Sequence, residues 1–535
     1  MGESALLVCF TQVIDREINR RVLALYEALK ALGHPGIRDL VPAYCTLLVS
    51  FDHRAMSDEE LREIVLKSCT GTASHETRTA QAHVIPVHYG GGDGPDLEYV
   101  GSLHGAGSAD VIQLHTKQSY HVYFLGFLPG FAYMGTVPDL IAAPRLQTPR
   151  SSVPRGSIGI AGKQTGIYPS TSPGGWRIIG RTSLELWDET RNFPALIAPG
   201  DSVRFVQTDT HEDRAPHRRV PPIPAIPLLQ VIEAGGLASV QDLGRPGYGA
   251  VGLSAGGAMD GLTVTRLNGL LDNDPSDAVL ELTLGGPTMV ALRTTTIAVG
   301  GAGTVCTVDG NSVPNGISWL VRAGQTLRFQ QRAGGLRSYL AVAGGIDVPL
   351  VLGSRSTCLP GGFGGFAGRY LRPGDVLGAS RPVEAGMLAG RTLSNQKGEL
   401  DNRQGIRFMA YSGPNAVSPS SRAAFVAARC RVSDRSDRIG LRLEPTDKLL
   451  TKTNAREAIS FGVVRGAIQL PPDGCPIVLG ADHQTTGGYP LLGVVAEADW
   501  PIIAQLAPGQ EVNFNEISVE DARSQYYRLA GSGHE

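Results

Sequence analysis

Apolar residues near the N-terminus alternate between strand-like runs and helical spacing. Ala5–Phe10 and Tyr44–Phe51 are short apolar runs of the length expected for strands. Between them, apolar side chains recur at helical intervals and predict an amphipathic helix; they are Ile18, Val22, Leu25, Leu29 and Leu32. Gly33 follows directly, where a glycine commonly ends a helix.

A second helix and a third strand are expected next. Ser57 and Glu60 have the spacing of a capping box, so a helix is predicted to begin here. His83–Tyr89 is the next apolar run and is interpreted as a strand. The β-α-β-α-β order predicts a small ferredoxin-like α+β domain over residues 1–85.

Beyond residue 85 the pattern becomes that of a mainly β protein. Short apolar runs broken by Gly and Pro predict a barrel or sandwich. Pro216–Pro227 is rich in proline and predicts a semi-rigid linker. The second half repeats the short-stranded pattern, with one helix near Met259–Leu271 and a polar segment at Leu388–Arg403 between two lobes. The predicted units are a β-barrel domain (86–210), a linker (211–227), a β-rich lobe (228–385) and a second β lobe (386–535).

Three phrases of the first half return in the second half in the same order. The matched pairs are VPRGSI at 153–158 with VVRGAI at 463–468, QTGIYP at 164–169 with QTTGGYP at 484–490, and PGDSVRF at 199–205 with PGQEVNF at 508–514. In the last pair a Pro-Gly turn leads into alternating apolar positions, as at the start of a strand. The repeat predicts duplicated β-domains; the alternative is chance reuse of similar turns.

Composition narrows the class of protein. Among 535 residues there are 68 glycines and 35 prolines, which favours a turn-rich β architecture. The net charge of −2, without a basic stripe, argues against nucleic-acid binding. The seven cysteines are far apart and form no C-x-x-C pair, so neither a metal site nor a disulfide framework is predicted. No apolar run is long enough to cross a membrane and no signal peptide is evident, so we expect a cytoplasmic protein.

Two short segments resemble known catalytic or binding motifs but do not meet their requirements. Residues 157–164 approach a phosphate-binding P-loop, but Ser157 fills a required Gly position and Gln164 follows Lys163. An anion-binding loop and a plain β-turn with a surface lysine remain equally good interpretations. Gly252–Gly256 fits G-x-S-x-G, yet its Gly-rich surroundings do not suit a nucleophile elbow, so Ser254 is not expected to be a nucleophile.

Polar residues set between glycines are the stronger candidates, because glycine lets backbone and ligand approach closely. In the second half these are Asp242, Arg245, Asp260, Asn268, Glu281, Arg438, Asp482, His483, Gln484, Thr485, Thr486 and Tyr489. Asp242 and Asp260 could instead cap a turn and a helix. Arg438 suits either carboxylate recognition or a surface ion pair.

Long stretches of both halves resemble one family. FLGFLPGFAYMG and PRSSVPRGSIGIAGKQTGIYP in the first half are similar to the B subunit of 5-oxoprolinase, also called allophanate hydrolase subunit 1. QDLGRPGYGAVGLSAGGAMD, SDRIGLRLE and GADHQTTGGYP in the second half are similar to the C subunit, or allophanate hydrolase subunit 2. The same pair forms the carboxyltransferase part of urea carboxylase. The resemblance covers nearly the whole chain and implies a fusion of the two subunits, with duplicated cyclophilin-like β-barrels after the α+β domain.

The resemblance implies three activities. The leading one is a component of an ATP-dependent 5-oxoprolinase, which hydrolyses this cyclic amide to glutamate together with a separate protein like the A subunit of that enzyme, using ATP with Mg²⁺ as its counter-ion. The second is a carboxyltransferase component of a biotin-dependent urea or amide carboxylase, with carboxybiotin carried on a separate chain. The third is a Kip-type regulator that binds a histidine kinase. A small-molecule amide substrate and homo-oligomerisation are also expected, without nucleic acid or membrane partners.

We predict the catalytic pocket in the second half. Asp482 is the first choice for a general acid or base and His483 the second, with Glu281 and Asp260 as further catalytic candidates; the remaining candidates above would bind substrate. An equivalent pocket in the first half would be lined by Gln164, Thr165, Tyr168 and Arg155. No resident metal ion is predicted.

Overall fold

The computed structural model describes residues 1–71, 78–209, 219–393, 405–446 and 459–531. The chain begins with a three-stranded antiparallel sheet, in the order β1-β3-β2, covered by two helices. These elements are β1 (Ala5–Cys9), α1 (Arg16–Leu32), β2 (Ile37–Pro42), β3 (Thr46–Phe51) and α2 (Asp58–Gly71). Both predicted helices are confirmed.

The ends of these helices follow from local hydrogen bonding. Asp15 accepts from the backbone N–H of Glu17 at the start of α1, and Gly33 ends the helix in the left-handed conformation at φ 55°. The Ser57 hydroxyl accepts from the N–H of Glu60 at 3.1 Å, as the capping box predicts. Local sequence therefore determines where α1 and α2 begin.

A closed seven-stranded barrel follows, in the order β11-β4-β12-β5-β6-β9-β8. A two-stranded ribbon, β7-β10, and a short 3₁₀ helix at Asp139–Ile141 accompany it. The elements are β4 (Ala82–Tyr89), α3 (Leu97–Ser102), α4 (Ser108–Thr116), β5 (Ser119–Leu125), β6 (Ala132–Gly135), β7 (Arg150–Val153), β8 (Ser157–Ala161), β9 (Gln164–Ile167), β10 (Ser172–Gly174), β11 (Arg177–Arg181) and β12 (Ser202–Gln207).

The placement of His83–Tyr89 in the N-terminal domain was wrong. This run forms β4, which pairs with β12 in parallel and with β11 antiparallel inside the barrel. The third strand of the N-terminal sheet is β2 instead, so this layer is α+β but lacks the expected strand order. An apolar run indicates a strand without indicating its partner, because pairing is decided by distant residues.

The middle of the chain consists of a six-stranded sheet, β19-β18-β21-β16-β13-β23, and a five-stranded sheet, β14-β15-β22-β17-β20. The predicted helix in this region is confirmed as α5. The elements are β13 (Pro227–Glu233), β14 (Leu237–Gln241), α5 (Gly261–Leu270), β15 (Val279–Thr283), β16 (Thr288–Ala291), β17 (Thr295–Gly301), β18 (Thr304–Val308), β19 (Asn311–Val313), β20 (Ser318–Val321), β21 (Thr326–Gln331), β22 (Arg337–Val342) and β23 (Val376–Gly378).

The last part of the chain contains an eight-stranded sheet in the order β32-β25-β26-β29-β28-β31-β24-β33 and a short ribbon, β27-β30. Its two end strands, β32 and β33, are separated only by Asn513, so the sheet curls into a second barrel. The elements are β24 (Ile406–Ala410), α6 (Pro419–Ala427), β25 (Cys430–Val432), β26 (Gly440–Pro445), β27 (Phe461–Gly462), β28 (Ala467–Gln469), β29 (Ile477–Leu479), β30 (Thr486–Gly487), β31 (Leu491–Val495), α7 (Trp500–Gln505), β32 (Glu511–Val512), β33 (Phe514–Glu516) and α8 (Val519–Gly531).

The two barrels have the same strand order, which confirms the predicted duplication. In the first, β12, β4, β11 and β8 are neighbours; in the second, β33, β24, β31 and β28 are neighbours with the same parallel and antiparallel senses. Small ribbons also match, since β7 pairs with β10 and β27 with β30.

The two copies of the Gln-Thr phrase nevertheless occupy different places. The first begins in β9, a strand of the barrel wall. By strand order the counterpart of β9 is β29, and the second copy follows β29, where it forms a loop and the short strand β30. The phrase is therefore a wall strand in one barrel and a loop in the other.

The segment between the halves is partly described. Residues 211–218 of the predicted linker and 394–404 of the polar segment lie outside the described residues. Arg219 pairs with Glu189 of the first half at 2.5 Å and donates to the carbonyl of Gly362 in the second half at 2.7 Å. No helix among the described residues is long and apolar enough to span a bilayer.

Candidate functional site

A buried arginine connects three segments of the second half. Arg438, at the turn before β26, donates from Nε to Asp482 Oδ2 at 2.8 Å and from Nη2 to Asp482 Oδ1 at 3.0 Å. Its Nη1 donates to Glu281 Oε1 at 2.5 Å, and its Nη2 to the carbonyl of Gly257 at 2.6 Å. Burial opposes the charge, but the two carboxylates outweigh it and raise the pKa of Arg438.

Glu281 links this arginine to the start of α5. Its Oε2 accepts from the N–H of Met259 at 2.7 Å and from the Tyr339 hydroxyl at 3.1 Å. Burial alone would raise the pKa of Glu281, but the charges of Arg438 and Arg337 lower it. Glu281 is therefore a fixed anion in the protein interior rather than a group poised to exchange a proton.

Asp260 is the N-cap of α5. Its Oδ1 accepts from the N–H of Thr263 at 2.9 Å and its Oδ2 from the Thr263 hydroxyl at 2.6 Å. The N–H of Asp260 donates to the Tyr339 hydroxyl at 2.9 Å, so the cap is joined to Glu281 through one side chain. The capping interpretation of Asp260 is the one that the structure shows, and burial raises its pKa.

Asp242 and Arg245 hold a neighbouring loop in place. Asp242 accepts from the hydroxyls of Ser354 and Ser356 at 2.7 and 2.5 Å, and from the N–H of Arg355 at 2.6 Å. Arg245 donates to the carbonyl of Ser356. These contacts give both residues positioning roles behind the site.

A cleft of about 250 Å³ lies in front of this network, between the N-terminal sheet, the second barrel and the loop before α5. Its polar and charged lining includes Glu3, Arg38, Asp39, Ser254, Arg465, His483, Thr485 and Glu497. Of the predicted site residues, His483 and Thr485 line this cleft. Asp482, Glu281, Asp260, Asp242, Arg245 and Arg438 are buried instead, so they shape the site from behind.

His483 has a defined tautomer. Its Nδ1 lies 2.7 Å from the carbonyl oxygen of Gln484, which only accepts, so Nδ1 carries the proton. Burial lowers the pKa of His483 to about 4, and the ring is neutral at pH 7. Nε2 therefore carries the lone pair of the ring, which suits it to accept a hydrogen bond or to act as a general base.

The loop before α5 contains backbone N–H groups without an internal acceptor. The N–H groups of Ser254, Ala255 and Gly256 donate no hydrogen bond within the described ranges, and all three residues line the cleft. Thr485 is buried, and its hydroxyl has no partner among the described residues. Consecutive N–H groups without an internal acceptor can bind a carbonyl oxygen or an anion.

Arg465 and Asp39 are two of the cleft residues that were not predicted from the sequence. Arg465 stacks on the Trp500 ring at 4.0 Å and lies in the VVRGAI phrase, where the repeat already pairs it with the predicted Arg155. Asp39 in β2 accepts from the N–H of Gly249 at 3.0 Å, and burial raises its pKa to about 6. The repeat could have indicated Arg465, whereas Asp39 reaches the cleft only through folding.

Several predicted binding residues lie elsewhere. Tyr489 is exposed, and it is not among the residues lining the cleft. Asn268 is a buried residue of α5, and its Nδ2 donates to the carbonyl of Asp277 at 2.8 Å. Thr486 packs against Gly126 of the first barrel, and Gln484 contributes the carbonyl that orients His483. The prediction of one pocket from all these residues was too broad.

Of the four residues predicted to line a pocket in the first half, Thr165 and Tyr168 are buried, whereas Gln164 and Arg155 are partly exposed. The hydroxyl of Thr165 lies 3.0 Å from Nε2 of the buried His115. The Tyr168 ring packs against Phe131 at 5.1 Å. Gln164 lies in β9, and Arg155 is 3.7 Å from Glu185.

Both halves of the chain match known protein families. Residues 1–197 match the family described as carboxyltransferase domain, subdomain C and D, and residues 251–516 match the carboxyltransferase domain, subdomain A and B. The chain belongs to the carboxyltransferase-domain family. The cleft lies where its C/D and A/B regions meet, because Asp39 and His483 come from different regions.

Known members of this carboxyltransferase-domain family resemble the two halves separately. The second half is 39% identical over 297 residues to the 5-oxoprolinase C subunit of Escherichia coli, covering 55% of the chain and 93% of that protein. The first half is 38% identical over 217 residues to the 5-oxoprolinase B subunit of Bacillus subtilis, covering 39% and 90%. Urea amidolyase of Saccharomyces cerevisiae is 32% identical over 311 residues, covering 55% of the chain but 17% of that enzyme.

A solved structure in this family contains both halves in one chain. The crystal structure of TTHA0988 superposes with a TM-score of 0.84 at 36% identity, covering 96% of the chain and 99% of that protein. The fused arrangement is therefore shared with a second protein. The curated relatives are enzymes or parts of enzymes.

Proposed function

We propose that the chain is the amide-binding component of an ATP-dependent 5-oxoprolinase that acts with a separate protein like the A subunit of that enzyme. One observation carries the proposal: the two halves are similar to the C and B subunits of 5-oxoprolinase over 93% and 90% of those proteins. The shared cleft supports it, because a small amide requires donors for its carbonyl oxygen and an acceptor for its N–H.

The cleft offers both kinds of group. In this proposal the amide oxygen accepts from the N–H groups of Ser254–Gly256, which polarises the carbonyl. Nε2 of His483 accepts from the amide N–H or from a water molecule. Asp482 holds Arg438 rather than exchanging a proton, so we assign the base to His483 and a positioning role to Asp482.

The cleft suits a small amide better than a nucleotide. ATP with Mg²⁺ supplies a leaving phosphoryl group and needs several cations or donors around its phosphates. Of the guanidinium groups on the cleft wall, Arg38 is paired with Asp52 at 2.6 Å, and three carboxylates, Glu3, Asp39 and Glu497, share the space. We therefore place nucleotide binding outside this cleft.

The proposed cellular setting is the cytoplasm. Cys9, Cys45, Cys306, Cys358, Cys430 and Cys475 are free thiols, which supports a reducing compartment. Homo-oligomerisation and binding to a histidine kinase stay predictions.

The deciding experiment reconstitutes the chain with a protein like the A subunit of 5-oxoprolinase. We expect glutamate release and ATP hydrolysis that both depend on 5-oxoproline and on both proteins. Absence of glutamate release with an active partner would contradict the proposal.

A carboxyltransferase is the second candidate, favoured by the family match and by the similarity to urea amidolyase. In that reaction the same cleft would hold urea, and carboxybiotin would arrive on a separate chain. Transfer of labelled carboxyl from a carboxybiotin carrier to urea, in the absence of glutamate release, would favour this candidate over the oxoprolinase.

A further inference from the structure

Arg465 is a guanidinium on the cleft wall that is held by neutral groups. It lies in the turn before β28, and its Nη2 donates to the carbonyl of Met259 at 2.5 Å. Its Nη1 lies 3.4 Å from the carbonyl of Ala258, and the guanidinium stacks over the Trp500 ring at 4.0 Å. These contacts fix its orientation without pairing it with a carboxylate.

No carboxylate among the described residues lies within 4 Å of Arg465. The nearby anions are engaged elsewhere, since Glu281 binds Arg438 and Asp260 binds Thr263. Burial lowers the pKa of Arg465 to about 10, so it stays protonated at pH 7. Buried charges in proteins are commonly paired, and a ligand anion would complete this one.

We infer that Arg465 binds the carboxylate of an amide substrate, so that the cleft selects a carboxyl-bearing lactam over urea and over uncharged lactams. The inference rests on the proposed function, because it assigns the amide of the same ligand to the Ser254–Gly256 loop and His483. A planar guanidinium can bind both oxygens of a carboxylate, which a lysine ammonium does less well. Arg465 would therefore determine specificity without taking part in the chemistry.

The test compares two lactams that differ in one carboxylate. Binding of L-5-oxoproline and of 2-pyrrolidone to the full chain is measured by calorimetry, for wild type, R465M and R465K. We expect R465M to weaken 5-oxoproline binding about 30-fold or more and to leave 2-pyrrolidone binding within about twofold. R465K should recover part of the affinity for 5-oxoproline, because it restores charge without the planar fork.

Arg177 offers a control, and unlike Arg465 it lies 3.7 Å from a carboxylate, that of Asp96. It also stacks on an aromatic ring, Tyr99 at 3.8 Å, and donates to a backbone carbonyl, that of Pro144, but it lies in the first barrel. R177M should bind both lactams as wild type does. Thermal unfolding of R465M and R177M shows whether both variants are folded at the assay temperature.

The outcomes separate the two proposals. Equal weakening of both lactams by R465M, or no weakening of 5-oxoproline, would overturn the role of Arg465 while leaving the lactam site in place. If wild type bound neither lactam, the proposed function and this inference would both fail.

Discussion

Arg438 and Asp482 form a two-point ion pair in the interior, with Nε to Oδ2 at 2.8 Å and Nη2 to Oδ1 at 3.0 Å. The same guanidinium binds Glu281, which lies 157 residues away along the chain. The pair therefore connects the second barrel to the middle sheets directly behind the cleft.

Removing this guanidinium should destabilise the protein strongly. R438M leaves the carboxylates of Asp482 and Glu281 buried without their cation, which costs about 3–5 kcal/mol. Thermal and urea unfolding measure the loss. As a control, R431M removes an exposed arginine that lies 3.7 Å from Glu511 and should cost less than about 1 kcal/mol. Equal losses in the two variants would refute the structural role of Arg438.

Replacing the proposed base should reduce turnover with little effect on folding. H483N keeps a donor near the Gln484 carbonyl but removes the lone pair of Nε2. We expect kcat/KM of the reconstituted enzyme to fall about 10²- to 10⁴-fold. H104N, which alters an exposed histidine bonded to the Ala142 carbonyl, should leave kcat/KM unchanged. Wild-type turnover in H483N would exclude His483 as the base.

The pH dependence of kcat/KM should reflect the ionisation of His483. Burial lowers the pKa of His483 to about 4, so the neutral form persists well below the usual range of a histidine. We expect the acid limb of kcat/KM to fall near pH 4. Because the unfolded chain binds this proton near pH 6.5, the contribution of His483 to stability decreases as the pH falls from about 6.5 to 4. An acid limb near pH 6.5 that disappears in H483N would contradict the assigned environment.

Glu3 should make stability depend on pH in the opposite direction. Burial, with the charge of Glu497 as a second cause, raises the pKa of Glu3 to about 7. The contribution of Glu3 to the free energy of unfolding is complete below its pKa in the unfolded chain, near 4.5. This contribution is lost as the pH rises through about 7, the pKa of Glu3 in the folded protein. E3Q should therefore gain stability relative to wild type between pH 5 and 8, up to about 3 kcal/mol.

Melting temperatures across this pH range measure the effect. E59Q, on the exposed face of α2, is the control and should show no such trend. A difference between E3Q and wild type that stays constant with pH would show that Glu3 is already charged at pH 5.

The contact between the halves requires glycine at residue 252. Gly252 has φ +79°, and a Cβ there would lie 2.6 Å from the carbonyl oxygen of Leu128 in the first half. Gly353 has the same φ with nothing within 4 Å of a Cβ. G353A should cost about 1 kcal/mol, and G252A about 1–3 kcal/mol more, because backbone must also move. Similar melting temperatures for the two variants would show that the backbone around residue 252 can move to accommodate a Cβ at little cost in stability.

Elements specified by neighbouring residues were predicted well. The helix α1 depends on apolar spacing and on Gly33, and α5 begins at Asp260 because a short carboxylate can cap the next turn. The duplication was also visible, because each phrase preserves the turn that leads into a strand. The pairing partners of the strands could not be predicted from the sequence. For that reason β4 was placed in the wrong sheet.

In the candidate site, too, some features could be predicted from the sequence and others depend on the tertiary structure. Sequence alone determined the family resemblance, the two similar barrels and the loop that carries Asp482 and His483. Only the tertiary structure decided that Asp482 faces Arg438 while His483 faces the cleft, and that Asp39 and Arg465 join it. Neighbouring side chains on an irregular loop point in directions that local sequence does not specify, because burial and long-range ion pairs select them.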